Sequence, residues 1–144
     1  MAGTVAEVVS PREIVRAYLA SFATGDPDAV AVCVTADFVN EHLSELGTGC
    51  EGRDEYRRRL HGFLSTFVGA RYSVVELAEI ARSGSDSDQE SGGVVVRYRF
   101  EATYEGTPID IPGMMWFDVR DGLVTRRTDL WDSLTFLRQT GQAD

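Results

Sequence analysis

The chain of 144 residues is poor in the residue types that most often announce chemistry. It has two cysteines, Cys33 in an apolar run and Cys50 in a glycine-rich loop, a pattern of free thiols that excludes a disulfide scaffold and fits a reducing cytoplasm. Its two histidines, His42 and His61, stand nineteen positions apart, and with two lone cysteines they give no zinc spacing. Metal chemistry therefore has little support, and there is also no glycine-rich phosphate loop after a strand and no nucleophile elbow. Basic side chains are also scarce, 14 against 23 acidic ones, and the net charge of -9 repels a phosphate backbone and anionic lipid. Nucleic acid and membrane are therefore not expected as partners. No apolar run approaches the roughly 18 residues of a membrane span, and no basic stretch with a long apolar run opens the chain. The expectation is a soluble cytoplasmic protein. There is no internal repeat, and the length and 43% hydrophobic content suit one domain over residues 1–144, with residues 1–9 as a flexible start.

What is present divides into two periods. Ser10-Pro11-Arg12-Glu13 has the form of a capping box with proline at the first helical position. Ile14, Tyr18 and Phe22 follow at spacing four, until Thr24-Gly25-Asp26-Pro27 stops one helix and starts a second that buries Val30, Cys33 and Val34. A short extended piece over Asp37 to Glu41 and a glycine-bearing loop over Glu45 to Gly52 lead to a third helix, with Tyr56, Leu60, Phe63, Leu64 and Phe67 on one face.

From Tyr72 onward the period is two. Four strands are expected, over Tyr72 to Ala81, Val94 to Tyr104, Ile109 to Val119 and Leu123 to Trp131. A polar serine- and glycine-rich hairpin loop over 83–93 is expected to be mobile. Asp132 then caps a closing helix bearing Leu134, Phe136 and Leu137. Helices first and sheet afterwards make an α+β fold, a cone in which N-terminal helices pack on one face of a curved antiparallel sheet, with a short C-terminal helix. Its open end is a natural cavity for a small molecule.

At this point a resemblance enters. AYLASFATGDPDAV and FVNEHLSELGTGCEGRDEY resemble the opening segments of the nuclear-transport-factor-two-like superfamily, which has a cystatin-like cone. The closing IPGMMWFDVRDGLVTRRTDLWDSLTFLRQTG is similar to the ending of its SnoaL-like polyketide cyclase branch. The similarity runs from about Ile14 to Gly141 and implies a conical pocket for an apolar ligand, cofactor-independent acid and base chemistry, and a place in secondary-metabolite or antibiotic biosynthesis. Position by position, Tyr18 falls where ketosteroid-isomerase-like members carry an oxyanion-stabilising tyrosine. His42 and Met114 fall where those members carry an aspartate base and a second, protonated acid. Asp129 matches one aspartate of the epoxide-hydrolase-like members, while Val96 and Tyr98 replace their arginine and other aspartate. Cyclase-like members often carry a histidine near position 42 and an aspartate on the last strand, kept here as His42 and Asp129.

On the last strand Arg127, Asp129 and Trp131 share one face and Val124, Arg126, Thr128 and Leu130 the other; composition leaves open which is inward, and the resemblance favours the Asp129 face. A carboxyl group in an apolar hollow is prepared for proton transfer, with Arg127 opposing the shift. Asp129, His42 and Tyr18 are thus the candidate catalytic residues, and Asn40, Tyr98, Phe100, Asp110, Met114, Trp116 and Trp131 the candidate substrate-binding ones. Each has a plain structural alternative: an arginine-paired carboxylate, a core-paired histidine, core aromatics. The function expected is an acid/base enzyme on a hydrophobic oxygenated small molecule, cyclase-like or isomerase-like, epoxide hydrolysis being less well matched. The rivals are a non-catalytic binding module or a dimerisation domain. A homodimer is expected, with Met115, Phe117 and Val119 as a patch on the sheet face away from the cavity.

Overall fold

A computed structural model describes residues 9–81 and 92–144. Most of the loop expected over 83–93, and the flexible start over 1–9 apart from Val9, lie outside the described residues. Ser10 caps helix α1 (Pro11–Ser21), its hydroxyl accepting from the Glu13 amide at 3.3 Å. A 3-10 turn over Phe22–Thr24 ends at Gly25, whose φ of 70° lets the chain reverse. Asp26 then caps α2 (Pro27–Ala31). Strands β1 (Val34–His42) and β2 (Cys50–Glu51) precede α3 (Arg53–Thr66), and β3 (Phe67–Ile80), β4 (Gly92–Tyr104), β5 (Thr107–Arg120) and β6 (Leu123–Trp131) complete the sheet. Helix α4 (Ser133–Gln139) is capped by Asp132, which accepts from the Thr135 amide at 3.0 Å.

The sheet runs β2-β1-β6-β5-β4-β3. It is mixed rather than wholly antiparallel, because β1, which the sequence shows only as a short extended piece, pairs in parallel with β6. Strand β3 begins five residues earlier than its alternation suggests: Phe67, expected on the helix, is its first residue and packs on Phe63 and Phe100. Val34, expected in the second helix, opens β1 instead. The turns at Glu105-Gly106 and Asp121-Gly122 have positive φ at both central residues, the geometry that matches the right-handed twist of flanking hairpin strands. Cys33 and Cys50 are free thiols. Among the described residues no helix is long and apolar enough to cross a membrane.

The core lies between α1, α2, α3 and the concave sheet face, where Val15, Tyr18, Leu19, Phe22, Val30 and Phe38 meet Val94, Val96, Met115 and Phe117. Two parity assignments fail here. On β5 the odd residues point inward: Ile109, Ile111, Met115, Phe117 and Val119 are all buried. Met115, Phe117 and Val119 therefore belong to the core and form no surface patch for a dimer, while Met114 and Trp116 alternate to the other side. On β6, Val124 is buried together with Arg127 although they stand three positions apart, an odd spacing that regular alternation would put on opposite faces. Thr125 is the cause: Val119 pairs with Val124 and Asp118 with Arg126, so Thr125 is an extra residue that shifts the alternation by one.

Candidate active site

The parallel register of β1 against β6 sets His42 beside Asp129 and Asn40 beside Arg127. Ser44 fixes the end of this pairing, donating to the Trp131 carbonyl at 2.7 Å and accepting from its amide at 2.6 Å. Beyond the pairing, Leu46, Gly47 and Thr48 fold back over His42. A side chain at Gly47 would put its Cβ 2.4 Å from His42 Cβ, so this close approach requires glycine.

A cavity of about 310 Å³ opens here, at the low end of the roughly 300–1,000 Å³ usual for small-molecule sites. One wall is apolar, built from Phe63, Phe67, Phe100, Trp131 and Phe136, with Ile109 and Ile111 behind them. Helix α4 brings Phe136 to that wall and is held to β5 by two bonds from the Gln139 amide group, which accepts from the Asp110 N–H at 2.9 Å and donates to its carbonyl at 3.0 Å. The other end is polar: His42, Tyr72, Tyr98, Arg127 and Asp129.

Asp129 is 2% exposed yet reaches the cavity wall. Its Oδ1 accepts from Tyr98 Oη at 2.6 Å and its Oδ2 from Arg127 Nη2 at 2.8 Å. Arg127, also buried, donates through Nη1 to Tyr18 Oη at 3.0 Å and through Nη2 to Tyr72 Oη at 3.2 Å. Tyr18 in turn is hydrogen-bonded to Tyr56. Burial works against the Arg127 charge, but Tyr18, Tyr72 and Asp129 outweigh it and hold the guanidinium protonated. Burial pushes the Tyr18, Tyr56, Tyr72 and Tyr98 phenols up, so all four keep their hydrogens at neutral pH. Behind the cavity, the donor Arg127 Nε and the acceptor Asn40 Oδ1 are buried with no partner among the described residues.

Tyr98 reaches across a neighbouring strand to make its bond. Its partner on β5 is Gly113, and a Cβ at Gly113 would lie 2.4 Å from Tyr98 Oη and 2.5 Å from Cζ. Tyr98 is itself 2% exposed and packed against Tyr72, so the ring can yield only by shifting into the cavity it lines. Gly113→Ala should therefore break the Tyr98–Asp129 bond and cost about 1–3 kcal/mol in urea unfolding; a loss within about 0.5 kcal/mol, no more than a surface substitution costs, would show that the ring adapts.

Burial, reinforced by Arg127 and opposed by Asp129, pushes His42 down to about 4. The imidazole is neutral at pH 7, and with Nδ1 accepting from Trp131 Nε1 at 3.3 Å its hydrogen sits on Nε2. In the unfolded chain His42 titrates near 6.5, so as pH falls from 6.5 towards 4 the unfolded state gains a proton that the folded state refuses. Stability is thus lost across that window and fully present above it. Urea unfolding of His42→Gln should show a shallower pH dependence between those values than the unaltered protein; parallel curves would contradict the burial of His42.

Of the residues anticipated from sequence, the fold brings Asp129, His42, Tyr98, Phe100 and Trp131 together around the cavity. Five others lie elsewhere. Tyr18 is fully buried behind Arg127 and does not line the cavity, because α1 packs it against Phe22 and Phe117. Asn40 is buried but one layer removed. Asp110 is half-exposed and paired with Arg99 at 2.7 Å. Met114 lies in a groove with Arg97 and Leu130, and Trp116 alternates with the inward Met115 and Phe117. Missed were Tyr72, Phe63, Phe67, Ile109, Ile111, Phe136 and the 46–48 loop. The alternation of Ile109 and Ile111 with Asp110 and Pro112 was signal enough to set the β5 parity.

Comparison with known proteins now bears on this geometry. A family profile described as the SnoaL-like domain matches residues 15–127. The chain belongs to the SnoaL-like domain family. A search of curated proteins finds no match. Among solved structures, a hypothetical protein with a ketosteroid isomerase-like fold from Catenulispora acidiphila, in complex with trimethylamine, is 18% identical over 92% of this chain and 95% of its own, with a TM-score of 0.74. A Xanthomonas campestris protein provisionally named a polyketide cyclase is 22% identical over 89% and 94%, TM-score 0.63. An LEH-like epoxide hydrolase of M. tuberculosis is 18% identical over 88% and 85%, TM-score 0.62. At these identities the SnoaL-like chain shares with them its ketosteroid-isomerase-like fold. Among its described residues no group of three or more His, Cys, Asp or Glu side chains could hold a metal ion.

Proposed function

We propose that this SnoaL-like protein is a cofactor-independent acid/base enzyme acting on a hydrophobic small molecule with a carbonyl group, by cyclase-like or isomerase-like chemistry. The observation that carries this reading is Asp129: a buried carboxylate on the wall of an apolar cavity, held by Tyr98 and Arg127. Each of its oxygens accepts one hydrogen bond and retains a further lone pair. In the reaction proposed, Asp129 takes a proton from the carbon next to the carbonyl, the C–H pair becomes a carbon–carbon double bond as the carbonyl π pair moves onto oxygen, and the carbonyl re-forms as the same carboxyl group returns the proton at another carbon of the enolate. No atom or electron is gained or lost. Neutral His42, with its hydrogen on Nε2, is the donor to the developing oxyanion in this reading. All 14 basic side chains are arginines, so the sequence offers no lysine for a Schiff-base route. The provisional name polyketide cyclase carried by one structural neighbour is compatible with this reading but belongs to that protein.

One observation favours a second reading. The Arg127–Asp129 contact at 2.8 Å, with both side chains buried, is also what a purely structural ion pair looks like, and the cavity would then only bind. Mass spectrometry of small molecules extracted from the purified protein, followed by their return to fresh protein, separates the two. Conversion of the extracted molecule supports the enzyme, whereas its recovery unchanged after long incubation supports the binding module.

A further inference from the structure

Four tyrosine hydroxyls surround the Arg127–Asp129 pair, and each has one hydrogen to give. Tyr98 gives its hydrogen to Asp129 Oδ1. Tyr18 and Tyr56 share one hydrogen bond, which uses one of their two hydrogens, and the other is left at a depth where both rings are buried and neither reaches the cavity. Tyr72 differs. Its oxygen accepts from Arg127 Nη2 at 3.2 Å, and among the described residues nothing accepts its own hydrogen. Tyr72 also lines the cavity, which Tyr18 and Tyr56 do not.

We propose that Tyr72 is the donor that binds a ligand's carbonyl oxygen, and that the cavity takes aromatic ketones of one or two rings. Arg127 strengthens this donor, since accepting a bond from a cation polarises the Tyr72 O–H outward. The same nitrogen, Arg127 Nη2, bonds both Tyr72 and Asp129, so the tyrosine oxygen and Asp129 Oδ2 lie no more than about 6 Å apart. That span suits a carbonyl oxygen on Tyr72 with the hydrogen of the adjacent carbon facing Asp129. The rings of Phe63, Phe67, Phe100, Trp131 and Phe136, inclined to one another, supply an aromatic wall for edge and face contacts, and 310 Å³ limits the ligand to a small ring system. The catalytic meaning of this contact rests on the acid/base reading of Asp129; the binding contact itself does not.

Two probes of one shape test it. 2-Acetylnaphthalene carries an oxygen that only accepts hydrogen bonds, and 2-ethylnaphthalene lacks it. The unaltered protein should bind the ketone about tenfold more tightly than the hydrocarbon and shift its infrared carbonyl stretch to lower frequency. Tyr72→Phe, which keeps the ring contacts with Phe22, Tyr98 and Phe100, should abolish both the preference and the shift while leaving 2-ethylnaphthalene affinity as it was. A preference and shift that survive in Tyr72→Phe would overturn the proposal and point to His42. Absence of the shift in the unaltered protein, a measurement that needs no variant, would overturn it as well. None of these readouts involves turnover, so the Tyr72 contact can fail while Asp129 chemistry stands, and the reverse.

Discussion

Asp129→Asn should lower turnover by about 10²- to 10⁴-fold, the range a positioned general acid or base supplies, in a chain that remains folded. The amide has the shape of the carboxylate but no basic oxygen. It can turn its Oδ1 towards Arg127 Nη2 and let its NH₂ donate to Tyr98 Oη, so the two bonds now made to Asp129 are replaced in geometry. What it cannot replace is the negative charge opposite a buried guanidinium, and a stability loss of roughly 2 kcal/mol is expected on that account. The two effects separate cleanly. A loss of turnover with a cooperative unfolding transition retained supports the proton-moving role, and full turnover with reduced stability would reduce Asp129 to a counter-ion.

Removing the cation should do more damage to the fold. Arg127→Leu leaves Asp129 buried with only the Tyr98 bond and takes a donor from both Tyr18 and Tyr72. Breaking one side of a buried pair typically costs about 3–5 kcal/mol, which for a chain of this length lowers the melting temperature by roughly 10–20 °C. The double change Arg127→Leu with Asp129→Asn should melt higher than Arg127→Leu alone, because no uncompensated charge is left in the core. Calorimetry of the three variants checks this. A single Arg127→Leu variant melting within about 2 °C of the unaltered protein would mean that water reaches Asp129 freely.

The elements and their order were legible because the local signals act locally. Ser10, Asp26 and Asp132 each satisfy helix N–H groups within three residues, and Asp121-Gly122 sets a hairpin from two dihedral pairs. The pairing of β1 with β6 in parallel was not legible, since it joins residues 87 to 90 positions apart and no local pattern specifies it. That pairing is nevertheless what puts His42 beside Asp129. The strand alternation of β4 placed Tyr98 and Phe100 inward, but the bulge at Thr125 moved Val124 to the buried side, and placing Met114 and Trp116 on the cavity face put the wrong parity on β5. Tyr72 escaped notice for a different reason. Its importance is in the hydrogen it has left over, and that depends on the partners of Tyr18, Tyr56 and Tyr98, which only the folded chain reveals.

The central claim is that Asp129 exchanges protons with a bound molecule. The most direct measurement is deuterium uptake, in heavy water, at the carbon beside the carbonyl of the ligand recovered from the protein, followed by mass spectrometry. Uptake with the unaltered protein that falls to the solution rate with Asp129→Asn is the result predicted. Equal uptake with both proteins would contradict it.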